Sequence, residues 1–144
     1  MQHINSPDNT DPSIERSIQA KNLNAPRITP AALQDNIVSE HYFTAGEGVI
    51  GAFAAAEFLK VSGDISLSAS AAHPDLLKTS LNLLTFCVLV LKNGFTVTGE
   101  SACASPENFD AEIGKRIARA NAEQKIWALM GYALKEKLHA ENHD

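Results

Sequence analysis

Between Phe95 and Arg119 this chain gathers the side chains best suited to holding a polar ligand. The segment SPENFD, from Ser105 to Asp110, opens a helix, and the unpaired N–H groups and positive dipole end of a helix start attract anions such as phosphate. The same residues also have a plainer use, in which Ser105 or Asn108 caps the helix, Asp110 meets its dipole and Phe109 packs the junction against the core. Glu100, on the polar side of the preceding strand, offers its carboxylate either to water or to a ribose hydroxyl or base amine. Arg116 and Arg119 sit three apart on the shoulder of the helix's apolar face, where they pair with Glu112 and Glu123 or reach a phosphate from a neighbouring subunit. His41 and Tyr42 read as packing with one hydrogen bond rather than as a catalytic base.

Other chemistries find little in the pattern. The five histidines are scattered, with two in terminal segments, so no zinc-ligating set is expected. There is no GxSxG elbow or Walker loop, which argues against catalysis and against a cofactor. The two cysteines, Cys87 and Cys103, lack CxxC spacing and are expected to stay reduced. A net charge of -5, with basic residues alternating with acidic ones, disfavours nucleic acid as a partner. No run approaches the roughly 20 apolar residues that span a bilayer. The start MQHINSPDNTDPS has neither the basic opening nor the apolar core of a signal peptide, so a cytoplasmic protein without a membrane partner is expected.

The elements that must position these residues follow from composition and period. With 144 residues and 44% apolar content, one core is expected, in a domain spanning residues 27–144. Residues 1–26, rich in Asn, Asp, Ser and Pro, read as a flexible tail. RITPAALQDNIVSEHYF reads as a helix capped by Thr29 with Pro30 at its first position, burying Ala32, Leu33, Ile37 and either Val38 or His41. A short helix is predicted over 49–60, with Gly46, Gly48 and Gly51 arguing against an earlier start, and a surface loop follows to Pro74. LLTFCVLVL reads as a strand covered on both faces, and Asn93-Gly94 as a two-residue type I′ turn with positive φ at both positions. FTVTGES then alternates, with Phe95 and Val97 on one face and Thr96, Thr98 and Glu100 on the other. One long helix carries Ile113, Ile117, Ala120, Gln124, Trp127, Met130, Leu134 and Leu138 at helical spacing. The expected fold is α+β: a small antiparallel sheet, with a hairpin at about 83–101, packed on a helix at about 106–138 with shorter N-terminal helices. Such a helix presents more apolar surface than a hairpin covers, and Trp127 and Tyr132 point to a homo-oligomer.

ITPAALQDNIVSEHYFTA and the run from Leu84 to Leu138, with NGF, GESAC, NFD and IG in succession, resemble a family of small tailed-phage and prophage proteins. That family is typified by gene product forty-nine of coliphage N-four and its phage Sf-six counterpart. The resemblance implies a phage accessory gene expressed in a bacterial cytoplasm. Compact accessory proteins of this kind include sponges that sequester the nucleotide signals of bacterial defence, such as cyclic oligonucleotides and cyclic ADP-ribose isomers. On that reading the ring of Phe95 stacks a base near a subunit boundary, Asn108 and Asp110 sit at the helix start, and Arg116 and Arg119 meet phosphates. The acidic balance departs from the basic pocket a phosphorylated ligand favours, so cationic groups would have to cluster across an oligomer interface. The competing expectation is a protein-binding inhibitor of a host enzyme or defence complex, acting through its acidic surface and an exposed apolar helix face.

Overall fold

The computed structural model describes residues 11–61 and 80–144; the surface loop expected around Ile65, Leu67 and Pro74 lies outside them, as do the first ten residues of the expected tail. The rest of that tail contains a helix, α1 (Pro12–Ala20). Its cause is local: Pro12 occupies the first turn and Asp11 Oδ1 accepts the Ser13 N–H at 2.8 Å. Arg27 then clasps Glu15 with two bonds of 2.9 and 2.7 Å, although no α1 residue is buried.

The predicted helix at Thr29 forms only α2 (Pro30–Asp35), with Thr29 accepting the Ala32 N–H and Leu33 buried. From there the sequence departs from the helical reading, because Ile37–Thr44 is strand β1. Ile37, Val38, Tyr42, Phe43 and Thr44 are β-branched or aromatic, and pairing with a neighbouring strand outweighs a weak helical period. Helix α3 (Ala45–Val61) begins earlier than predicted, directly after β1, despite its glycines. A reciprocal capping box accounts for this: Glu47 Oε2 accepts the Thr44 N–H at 2.8 Å and Thr44 Oγ1 accepts the Glu47 N–H at 3.1 Å.

Strands β2 (Leu84–Leu91) and β3 (Thr96–Ala102) complete a three-stranded antiparallel sheet of order β1-β2-β3. The hairpin is not the two-residue turn expected. Gly94 alone has a left-handed φ, of 85°, while its N–H bonds to Leu91 O at 2.9 Å and the Leu91 N–H to Phe95 O at 2.8 Å. Lys92, Asn93 and Gly94 therefore form a three-residue connection ending in a left-handed glycine, closed by Asn93 Oδ1 on the Phe95 N–H.

A single 3-10 turn (Pro106–Asn108) precedes the long helix α4 (Ala111–Glu141). Neither Ser105 nor Asn108 caps it; Asp110 does, accepting the Ile113 N–H at 3.0 Å. Helix α4 covers the sheet face that carries Cys87, Leu89 and Val97, and these residues form the core with Leu33, Leu91, Ala118, Ala122 and Ile126. The buried stripe of α4 differs from the one its large residues suggested. Gly114, Ala118 and Ala122 face the sheet, while Ile113 and Ile117 are 54% and 36% exposed. The reason is Gly99, where a Cβ would collide with the backbone of Ala118 and Ala122, so helix and strand approach at backbone distance and only small residues fit. On the other face Phe43 stacks on Phe86 with ring centroids 5.6 Å apart, and α3 packs near that end of the sheet.

Gly99→Ala is expected to destabilise the protein by about 3 kcal/mol, the upper range for overpacking. Gly51→Ala, on an exposed turn of α3 with open space at its Cβ position, is expected to stabilise it by about 0.5–1 kcal/mol. Urea midpoints of the two variants should move in opposite directions.

Candidate functional site

The hairpin end of the sheet carries a groove of about 530 Å³ between β3 and α4. It is lined by Phe95, Val97, Lys125, Ala128, Leu129 and Tyr132, and by Thr96 and Thr98 at the strand's outer edge. Phe95 and Tyr132 are 54% and 70% exposed, so two aromatic rings stand in solvent at one opening. Because Phe95 bonds back to β2, the alternation of an antiparallel ladder turns the N–H and C=O of Thr96, Thr98 and Glu100 toward the open edge. Asn121 Nδ2 covers the Glu100 carbonyl at 2.8 Å, which leaves the stretch beside the groove as the accessible backbone. Lys125 forms no ion pair among the described residues. Apolar walls, two rings, one ammonium and free backbone groups suit a flat, partly anionic ligand.

The residues singled out in the sequence are not assembled by one copy of the chain. Phe95 lies at the hairpin end of β3, whereas Asn108 and Asp110 lie at its other end, about 23 Å of strand away at roughly 3.3 Å per residue. There they border a smaller recess of about 130 Å³ with Thr85, Cys103 and Phe109. Asp110 is already the helix cap, and Cys103 Sγ lies 3.2 Å from Ser105 O. Glu100 pairs across the strands with Phe86 and is exposed on the sheet face turned away from α4. Arg116 is exposed and without an ion pair among the described residues.

Arg119 has a different fate. Its Nε donates to Glu40 Oε2 at 2.9 Å and a terminal nitrogen donates to Gln34 Oε1 at 2.9 Å. It also pairs with Glu123, which is 7% exposed and receives Gln34 Nε2 at 3.0 Å. One guanidinium thus joins α2, β1 and α4 and compensates a buried carboxylate. Of the partners expected from the sequence, Glu123 is confirmed for Arg119, while Glu112 lies 3.8 Å from Lys115. His41 and Tyr42 fall on opposite faces of β1: His41 contacts Ser39 Oγ at 3.1 Å, and Tyr42 packs on the core. Burial pushes the Tyr42 phenol up to about 12, with Cys87 beside it adding to the rise, and burial also raises the Cys87 thiol.

Lys125 and Leu129 escaped the sequence reading because neither sits in a motif; only their one-turn spacing on the shoulder of α4 hints at a shared surface. Tyr132 reads in the sequence as surplus apolar surface, and in the structure it lines the groove.

This architecture, a three-stranded antiparallel sheet backed by one long helix, defines a small α+β fold. The chain belongs to the phage protein (N4 Gp49/phage Sf6 gene 66) family, whose sequence pattern matches residues 28–138. No curated protein and no solved structure matches it. Among the described residues no helix is long and apolar enough to cross a membrane.

Removing one member of the buried pair should cost more than removing both. Arg119→Met is expected to lose about 3 kcal/mol, and the Arg119→Met/Glu123→Leu double variant less, in urea unfolding. The folded protein holds the Tyr42 proton more tightly than the unfolded chain. Its contribution is therefore whole below pH 10 and lost as the pH rises through about 12. Tyr42→Phe should flatten stability across that interval.

Proposed function

We propose that this phage-family protein binds and sequesters, without turnover, a nucleotide-derived immune signal such as a cyclic oligonucleotide or cyclic ADP-ribose isomer. The observation that carries this reading is the groove beside Phe95. A nucleobase has two apolar faces and a polar rim; stacking on an exposed aromatic ring is worth about 1–3 kcal/mol per base. Phe95 and Tyr132 supply such rings, the edge of β3 at Thr96 and Thr98 supplies donors and acceptors for the rim, and Lys125 supplies a cation for phosphate. Arg119, Glu123 and Asp110 are occupied in structural contacts, which favours retention over chemistry. Further cationic and polar groups, Arg116 and Asn108, are exposed but distant within one copy, so the full site is assigned to a homo-oligomer in which a second copy brings them to the groove.

Protein purified from cells producing defence signals, then heated, should release one nucleotide per site, identified by mass spectrometry. Phe95→Ala and Lys125→Ala are each expected to weaken retention about tenfold or more at unchanged oligomer mass by light scattering. Excess protein that leaves cyclic nucleotides and cyclic ADP-ribose isomers free in solution would overturn the proposal. A stoichiometric host protein, co-purifying without released nucleotide, would instead favour an inhibitor of a host enzyme.

A further inference from the structure

We propose that His139 and His143 form a two-imidazole site for a late first-row divalent cation, Zn2+ being the probe ion, at the C-terminal end of α4. The two residues are four apart, the spacing that puts side chains on one helical face. Although α4 ends at Glu141, the chain keeps its helical course: the Asn142 N–H bonds to Leu138 O and the His143 N–H to Ala140 O, both at 3.2 Å. The rings consequently meet, with centroids 4.4 Å apart and planes at 82°.

Imidazole nitrogen is a preferred ligand of zinc, copper and nickel. At a Zn–N length near 2.0–2.1 Å, tetrahedral geometry asks for two ring nitrogens roughly 3.3 Å apart. Rings already in edge contact reach that separation by rotation about their side-chain torsions, and both residues are exposed, so no packing opposes it. The nearby carboxylates of Glu141 and Asp144 favour a cation electrostatically, with Lys137, 3.9 Å from Glu141, offsetting part of that charge. Among the described residues no group of three or more ligating side chains converges. The pair is accordingly a bidentate site whose remaining positions fall to water. It does not depend on the groove at Phe95.

The full chain, titrated with Zn2+ and followed through the ring C–H resonances of each of its five histidines, separates chelation from scattered binding. His139 and His143 are expected to shift together while His41 stays in place. In His139→Gln protein the His143 response should require at least about tenfold more Zn2+, because one imidazole then acts without the effective concentration of its neighbour. A His143 response at unchanged Zn2+ concentration in that variant would overturn the site, as would the absence of any shift at either ring. Circular dichroism of the variant should be unchanged, since neither side chain is buried.

Discussion

The close approach of α4 to β3 governs most of this structure. At Gly99 the helix backbone lies where a side chain would otherwise be, and the helix answers with Gly114, Ala118 and Ala122 on its inner face. Gly114 has its own reason to lack a Cβ, since the Thr85 side chain occupies that place, with Oγ1 3.0 Å from it. A thin interface of this kind buries little area per residue, so the larger members, Leu89, Leu33 and Ile126, close the core around it. The same geometry turns Ile113, Ile117 and Leu129 outward and opens the wedge between β3 and α4 at the hairpin end.

Arg119 is the polar counterpart of that contact. Burying Glu123 against the sheet would be costly for a carboxylate left alone, and the guanidinium, shared with Glu40 and Gln34, removes the penalty. Because Glu40 belongs to β1 and Gln34 to α2, the pairing also locates the edge strand relative to the helix. Opposite, Asn121 covers one carbonyl of the other edge strand, so both sheet edges are tied to α4 by side chains.

Functionally, these constraints distribute polar groups rather than gather them. The groove at Phe95 and the recess at Asp110 lie at opposite ends of β3, and the arginine between them is consumed in holding the fold. One copy of the chain therefore presents these polar groups on separate surfaces, while α4 keeps apolar residues such as Ile113, Leu129 and Tyr132 exposed.

Local signals determined what local physics decides. The hairpin, the alternation of β3 and the long helix follow from Asn93-Gly94, a period of two and a helical spacing over 31 residues, each written in neighbouring positions. The α+β class and family membership were legible for the same reason. Tertiary structure alone decided the rest. Ile37–Thr44 carries a pattern readable as helix, and only the presence of β2 beside it makes it a strand. The inward face of α4 is chosen by Gly99, 19 residues before Ala118, which no helical period reveals. Whether Arg119 met a phosphate or Glu123 depended on burial of that carboxylate, and whether Lys125 joined Phe95 depended on how the helix crosses the strand. Pairwise contacts between distant segments set these outcomes, and a single sequence does not write them down.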